Sequence, residues 1–201
     1  MIRYIIAALI GYFVGNIASS YFAGKIMKNI DIREHGSGNA GATNTFRVLG
    51  AKAGVIVFIC DILKGILAVY IGLWLTGDKL GGMLAGGAAI LGHNWPVFLN
   101  FKGGKGIASS FGLILILFPK IGLILFLIAG TLVLLTRYVS VGSISGAILF
   151  PIFLVIYGEP WEICMIGLFL ALIALLRHKD NIIRLSEGKE NKITFTKKTG
   201  R

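Results

Sequence analysis

The chain has 201 residues, of which 56% are hydrophobic and only 14% are charged, and its mean hydropathy is +0.83. A soluble domain of this size is rarely so apolar, so the composition predicts an all-α integral membrane protein that crosses the bilayer several times. The net charge of +11 does not indicate nucleic-acid binding, because the basic residues lie in the gaps between apolar runs, as membrane topology predicts.

Seven apolar runs are interpreted as transmembrane helices of a single domain covering residues 1–201. They are, approximately, 4–24, 53–76, 80–99, 104–118, 121–136, 141–157 and 161–176. The fourth is short, because 107–118 spans about 18 Å as a helix against a hydrocarbon core of about 30 Å. Either this helix starts near Gly103, or the loop before it dips into the membrane inside the bundle.

The distribution of basic residues predicts the orientation. Only Arg3 precedes the first run, whereas Lys25, Lys28 and Arg33 follow it. This asymmetry places the N-terminus outside and argues against a cleaved signal peptide. The segments then assigned to the inside hold Arg47, Lys52, Lys102, Lys105, Arg137, Arg177 and every basic residue after it, whereas the outside holds only Arg3, Lys79 and Lys120. The C-terminus and all polar, glycine-rich segments are therefore predicted to be cytoplasmic.

Charged and sulfur side chains within the runs are interpreted as structural. Asp61 and Lys64 have i, i+3 spacing, so they can pair on one helix face towards the bundle interior. A proton or ion path is the functional alternative, but no further acids support it. Cys60 and Cys164 show no disulfide or metal spacing, and the three histidines show no ligand pairing, so no metal and no cofactor are predicted.

The first polar loop, residues 35–50, has the composition of an anion-binding nest. Glycines permit backbone N–H groups to converge on one point, and such concave arrays bind phosphate. Its glycines and polar side chains are Gly38, Asn39, Gly41, Ser37, Thr43 and Asn44. Arg47 adds a forked cation suited to phosphate. The alternative is a flexible loop of turn residues.

A second loop, residues 92–106, repeats this chemistry. Its candidate residues are His93, Asn94, Lys102, Gly103, Gly104 and Lys105, and Pro96 should break or kink the preceding helix. The loop lacks the GxxxxGK[ST] spacing of a nucleotide-binding P-loop. Two further inner segments add Arg137, Ser140, Ser143 and Ser145, and then residues 177–190 with His178 and Asn181. Together they predict one phosphate-handling site at the inner interface, although each residue alone could be a headgroup anchor, a helix cap or a packing residue.

Three blocks, residues 35–50, 92–108 and 181–190, resemble the signature motifs of the bacterial acyl-phosphate:glycerol-3-phosphate acyltransferases known as PlsY. The resemblance covers nearly the whole chain. It implies transfer of a fatty acyl group from acyl phosphate, not acyl-CoA or acyl carrier protein, to the 1-hydroxyl of glycerol 3-phosphate. The products would be lysophosphatidic acid and inorganic phosphate, in the first step of phospholipid biosynthesis.

The resemblance also implies a setting for the reaction. It places a multi-pass enzyme in the cytoplasmic (inner) membrane, with its active site on the cytoplasmic side. It further implies a monomer in the lipid bilayer with a functional link to the enzyme that makes acyl phosphate.

No histidine begins the H-x4-D motif of other glycerophosphate acyltransferases, since the fifth positions after the three histidines are Ala40, Phe98 and Ile183.

Site roles are assigned on this basis. The acyl-phosphate group is assigned to Gly38, Asn39, Gly41, Thr43, Asn44, Gly103, Gly104 and Lys105. Glycerol 3-phosphate is assigned to Ser37, Arg47, Lys105, Ser143, His178 and Asn181. The catalytic candidates are Ser37, His178, Lys105 and Arg47, and the further candidates are His93, Asn94 and Lys102. Cations and loop amides would stabilise charge on the leaving group and the developing oxyanion.

The sequence leaves three questions open. The proton acceptor is His178, His93 or a phosphate oxygen of the donor, with Ser37 able to orient the hydroxyl. Direct transfer is favoured over a Ser37 acyl-enzyme, because no Ser–His–acid triad can be assigned. A transporter for a phosphorylated solute and a lipid-binding scaffold are the rival classes. A transporter usually has inverted repeats and a midplane site, which the sequence does not show.

Overall fold

The computed structural model describes residues 1–193, which fold into ten α-helices and two short 3₁₀ turns, with no β-strand among them. The helices are α1 (Ile2–Gly15), α2 (Ser19–Lys28), α3 (Ala42–Leu49), α4 (Ala51–Thr76), α5 (Lys79–Asn94), α6 (Ile107–Leu117), α7 (Pro119–Thr136), α8 (Val139–Ile156), α9 (Trp161–Arg177) and α10 (Lys179–Ser186). The basic residues after position 193, which were predicted to be cytoplasmic, lie outside the described part of the chain.

Four segments are long and apolar enough to cross a bilayer: Ile2–Lys28, Ala51–Thr76, Pro119–Thr136 and Val139–Ile156. A fifth results if α9 and α10, which meet at a 56° bend, are counted as one span. Helices α5 and α6, with 16 and 11 residues, are shorter than a typical span. The all-helical membrane architecture is therefore confirmed, whereas the number of seven spans stays a prediction.

The first predicted span, 4–24, is not one continuous helix. Helix α1 ends at Gly15, and α2 begins at Ser19. At the break, the Asn16 side chain donates to the carbonyl of Tyr12 and accepts from the backbone N–H of Val97. This amide therefore ties the break to the loop after α5, a contact that apolar periodicity cannot reveal.

Two other predicted boundaries are also wrong. The third run was predicted to continue to residue 99, but α5 ends at Asn94, where the chain turns towards Pro96. The fourth helix does not begin near Gly103, because residues up to Gly106 are non-helical and Gly106 has a φ of 76°. The segment 103–106 instead packs inside the protein, with its glycines buried, as in the alternative of a loop that dips into the bundle.

The centre of the bundle is built around α4 and α5. Its buried apolar side chains include Val69, Met83, Leu113, Phe118 and Leu154. Helix α1 lies so close to α5 that a Cβ on Gly15 would approach the Ala89 carbonyl oxygen to 2.1 Å. Such glycine contacts permit tight packing between membrane helices. Large apolar side chains cover the outside of the bundle, where Trp74 is 82% exposed, as a lipid-facing surface requires.

Candidate active site

A polar cavity of about 180 Å³ lies among the loops and the helix ends that were predicted to be cytoplasmic. It brings together predicted site residues from four separate segments. Of these, it is lined by Ser37, Asn39, Gly41, Thr43, Asn44, Arg47, His93, Lys105, Ser143, His178 and Asn181. Gly38, Asn94, Lys102, Gly103 and Gly104 do not line it, and Lys102 is exposed outside it. The structure therefore brings residues from these distant segments together around one cavity.

Four helix N-termini converge on this cavity, those of α3, α6, α8 and α10. None of the four has a side-chain cap. The first N–H groups of a helix lack intrahelical partners, and the helix dipole places partial positive charge there. Uncapped helix N-termini at a cavity offer N–H groups and partial positive charge, an arrangement that favours phosphate.

The first loop is held open by Asn44, whose side chain is almost fully buried. Its amide nitrogen donates to the carbonyls of Ile32 and His35, at 3.1 and 2.9 Å, and its amide oxygen accepts from the Ser37 N–H at 2.8 Å. Gly36 has a φ of 64°, and a Cβ there would lie 2.3 Å from the Asn44 oxygen. The Asn44 amide therefore serves the loop backbone in this conformation rather than a ligand.

The second loop also differs from the nest expected from its sequence. The N–H groups of Gly103 and Gly104 donate to the carbonyls of Asn94 and His93, at 3.2 and 3.0 Å, at the end of α5. Their own carbonyls accept from the Arg177 guanidinium. These glycine N–H groups are thus already used. The loop instead caps α5 and directs Lys105 and the N-terminus of α6 towards the cavity.

Lys105 belongs to a network that the sequence prediction only partly included. Its ammonium donates to the Asn181 side chain, whose amide nitrogen donates to Glu190 at 2.8 Å. Glu190 also pairs with Arg184 at 2.8 Å and accepts from Ser140 at 3.2 Å. Glu190 and Arg184 line the cavity but were not predicted as site residues, although both lie within the 181–190 block.

Burial lowers the pKa of Lys105 from its ordinary value of 10.5 to about 8. The positive charge of Arg184 acts in the same direction, whereas Glu190 opposes it. Lys105 lies in the loop before α6, outside the helices. No carboxylate of residues 1–193 lies within ion-pair distance of Lys105 or Arg47. Lys105 and Arg47 are therefore free of ion pairs within the described residues and can bind an anion, while Asp61, Asp180 and Glu190 also line the cavity.

His178 presents a hydrogen-bond acceptor to the cavity. The side chain is buried at the junction of α9 and α10, and its Nδ1 lies 2.7 Å from the carbonyl of Ala174. A carbonyl oxygen can only accept, so Nδ1 carries the ring proton and the neutral ring has its lone pair on Nε2. An acceptor in a polar cavity suits a substrate hydroxyl.

An apolar cavity of about 250 Å³ adjoins the polar one. The two cavities share wall residues Phe58, Ile107, Val139 and Ser143. The apolar cavity then extends between α6, α7, α8 and α9, where its wall includes Phe126, Gly146 and Leu170. A ligand with a charged head and a hydrocarbon tail would match the two chambers.

Comparisons with known proteins agree with this geometry. A family sequence profile described as Glycerol-3-phosphate acyltransferase matches residues 5–188. A Glycerol-3-phosphate acyltransferase of Thermoanaerobacter sp. (strain X514) is 48% identical over 189 residues, which cover 94% of this chain and 95% of the relative. The relative of the same name from Alkaliphilus metalliredigens (strain QYMF) is 44% identical and covers 90% of this chain and 92% of its own.

Two solved structures have the same fold. The crystal structure of PlsY (YgiH), an integral membrane glycerol 3-phosphate acyltransferase, in its glycerol 3-phosphate form superposes with a TM-score of 0.87 at 36% identity. It covers 95% of this chain and 96% of that one. The lysophosphatidic acid form superposes with a TM-score of 0.85. The chain therefore belongs to the PlsY family of glycerol-3-phosphate acyltransferases.

Proposed function

We propose that the chain transfers a fatty acyl group from acyl phosphate to the 1-hydroxyl of sn-glycerol 3-phosphate, giving lysophosphatidic acid and inorganic phosphate. This would be the first step of phospholipid biosynthesis. The observation that carries the proposal is a polar cavity, lined by Arg47 and Lys105 and by four helix N-termini, that adjoins an apolar cavity at Ser143. Both substrates carry phosphate, and only the donor carries a hydrocarbon tail.

The two chambers suggest how the substrates lie. The acyl tail occupies the apolar cavity, so that the acyl carbonyl comes near Ser143 at the junction. The donor phosphate lies at the N-termini of α3 and α6, near Asn39, Gly41 and Thr43. Arg47 and Lys105 bind glycerol 3-phosphate together with Ser37, Ser143, His178 and Asn181, and Asn44 keeps the first loop in shape.

In the proposed reaction, the C1 hydroxyl oxygen attacks the acyl carbonyl carbon. The bond between that carbon and the bridging phosphate oxygen breaks, and its electron pair leaves with inorganic phosphate. The hydroxyl proton passes to a phosphate oxygen of the donor or to Nε2 of His178. His93 is not the acceptor in this scheme, because its Nδ1 already accepts from Lys64 at 2.7 Å. Positioning and fixed positive charge supply the catalysis.

Direct transfer is proposed rather than an acyl-enzyme. No side chain of residues 1–193 hydrogen-bonds the Ser37 hydroxyl, and His178 is oriented by a backbone carbonyl rather than by an acid. A serine nucleophile needs an adjacent base that is held by a third group. Ser37 therefore lacks the partners that would activate it.

The setting of the enzyme is also a proposal. We expect seven spans in the cytoplasmic membrane, with the N-terminus outside and the active site facing the cytoplasm. We expect a monomer that receives its donor from an acyl-phosphate-producing enzyme. Inner residues Lys25, Lys28 and Arg33 against outer Lys79 and Lys120 support this orientation.

The donor is tested with purified protein in detergent or lipid cubic phase. Glycerol 3-phosphate is supplied with palmitoyl phosphate and, in parallel, with palmitoyl-CoA, and lysophosphatidic acid and phosphate are measured. We expect product from acyl phosphate alone, with one phosphate released per product. Product from palmitoyl-CoA alone would contradict the donor assignment. If the folded protein made no product from either, we would test uptake of phosphorylated solutes in liposomes.

A further inference from the structure

Helix α4 carries a charged pair deep inside the protein that the proposed reaction does not use. Asp61 and Lys64 are 2% and 5% exposed, and their charged atoms lie 2.7 Å apart. Burying such a pair is costly unless further hydrogen bonds satisfy both groups. The sequence alone supported only a structural role for the pair, but its surroundings connect it to the cavity.

The Lys64 ammonium has all three protons committed. It donates to Asp61, to the Ile17 carbonyl at 2.8 Å and to Nδ1 of His93 at 2.7 Å. The Ile17 carbonyl is available because the helix is interrupted between α1 and α2. The Ser19 hydroxyl, at the start of α2, donates to Asp61 at 3.1 Å. The network therefore joins the break after α1, helix α4 and the end of α5.

This network fixes the tautomer of His93. An ammonium group can only donate, so Nδ1 of His93 accepts and the neutral ring carries its proton on Nε2. The ring is 7% exposed and lines the polar cavity. Its Nε2 lies against Gly104, where a Cβ would come within 2.0 Å of it. Within residues 1–193, this N–H group makes no hydrogen bond, whereas Nδ1 accepts from Lys64.

Because the ring lines the cavity and its Nδ1 is bound to Lys64, the Nε2–H group is the donor that this side chain can offer to a ligand in the cavity. We propose that His93 donates a hydrogen bond from Nε2 to an oxygen of the departing phosphate, and that Asp61 and Lys64 are positioning residues for it. This inference rests on the proposed function. A fixed neutral donor is most valuable where negative charge grows during the reaction, as it does on the leaving phosphate.

The two buried histidines then have opposite roles. His178 has its proton on Nδ1 and offers a lone pair to the cavity, whereas His93 has its lone pair bound to Lys64 and offers a proton. The first suits a substrate hydroxyl, and the second suits an anionic oxygen. The Ala174 carbonyl holds the His178 ring in its state, and the Lys64 ammonium holds the His93 ring in the other.

Two substitutions of His93 separate its contacts. His93→Asn retains an acceptor near Nδ1 but does not reach the cavity, whereas His93→Gln retains a donor near Nε2. We expect His93→Asn to lower kcat on the order of 100-fold with palmitoyl phosphate, with KM for glycerol 3-phosphate within about twofold. His93→Gln should recover most of that loss. Equal kcat for wild type and folded His93→Asn would overturn the inference.

Substitutions of Lys64 test the positioning role. Asp61→Asn combined with Lys64→Met removes both charges, and we expect kcat to fall about tenfold at unchanged KM. The single variant Lys64→Arg retains a donor to Nδ1 of His93, so its kcat should be higher than that of the double variant and close to wild type. Cys60→Ser, at an exposed position beside Asp61, is the control for perturbing α4 and should match wild type. A double variant with wild-type kcat would contradict positioning.

Nitrogen-15 NMR of the wild-type imidazoles tests the proposal without any variant. His35 and His178 each have Nδ1 near a backbone carbonyl, so we expect one ring of the three, that of His93, in the Nε2–H form. Saturating inorganic phosphate should shift its N–H proton downfield. Absence of an Nε2–H ring, or no shift with phosphate, would contradict the donor role. If the wild-type protein had no activity on acyl phosphate, this would instead contradict the proposed function itself.

Discussion

Lys105 illustrates how the environment of a residue, more than its type, sets the chemistry. The same loop contains Lys102, which is exposed and lies outside the cavity. Lys105 faces Asn181 and lies close to Arg184, and burial lowers its pKa to about 8. An ammonium group that is poorly hydrated and lacks a carboxylate partner gains most from a bound phosphate.

The lowered pKa predicts a pH dependence. With a pKa of about 8, Lys105 is protonated below pH 8 and loses its charge as the pH rises through that value. The proposed phosphate contact needs the protonated form. We therefore expect kcat/KM for glycerol 3-phosphate to fall about tenfold per pH unit on the alkaline side. A bound phosphate raises the pKa of its lysine partner, so kcat should persist to higher pH.

Lys105→Arg provides the control for this profile. Arginine stays protonated at every pH of the assay, so the alkaline decrease should disappear from whatever activity remains. Lys52→Met, at an exposed lysine at the start of α4, should leave the wild-type profile unchanged. An alkaline decrease that persisted in Lys105→Arg would assign the titration to another group.

At the scale of elements, the first loop is stabilised by Asn44. Its amide makes three hydrogen bonds to the backbone of residues 32–37. We expect Asn44→Ala to lower the free energy of unfolding by about 2 kcal/mol, because two carbonyls and one N–H lose their partner. Thermal unfolding monitored by circular dichroism measures this, with Lys52→Met as control. An unchanged unfolding temperature would contradict the role of Asn44.

The apolar cavity between α6 and α9 predicts a determinant of chain length. Gly146 lines this cavity, and a Cβ built there meets no atom within 4 Å. Gly146→Leu should therefore fold but fill part of the cavity, which shifts the preference from palmitoyl towards lauroyl phosphate by about tenfold in relative kcat/KM.

The control for Gly146→Leu is Ile148→Phe, on the same helix at a position 46% exposed to lipid. It adds comparable bulk away from the cavity and should leave the palmitoyl preference as in wild type. If both variants behaved alike, or if Gly146→Leu retained the wild-type preference, the acyl tail would have to lie elsewhere.

Sequence predicted the elements better than their ends or their hydrogen bonds. Apolar runs correctly indicated helices, and the two glycine-rich loops and the 181–190 block do meet in one cavity. The break at Asn16 depends on a contact with Val97, which is 81 residues away. The sequence also could not show that Gly103 and Gly104 bond to the end of α5, because the same glycines are equally compatible with a free nest.

At the scale of the whole molecule, the charge distribution and the location of the cavity favour a cytoplasmic active site. Cys60 and Cys164 are first replaced by serine, and single cysteines are then introduced by Lys120→Cys and Lys189→Cys. We expect an impermeant maleimide to label the Lys120→Cys protein in intact cells, and the Lys189→Cys protein only after permeabilisation. The reverse pattern would contradict the proposed topology.

The central claim is that the cavity holds phosphate as a leaving group while the acyl carbon reacts. Palmitoyl phosphate carrying oxygen-18 at the bridging position tests this most directly, with products analysed by mass spectrometry after turnover with glycerol 3-phosphate. The account predicts that the label appears in released inorganic phosphate and that the palmitoyl ester is unlabelled. Label in palmitate or its ester would mean that the phosphorus–oxygen bond breaks, and this would contradict the account.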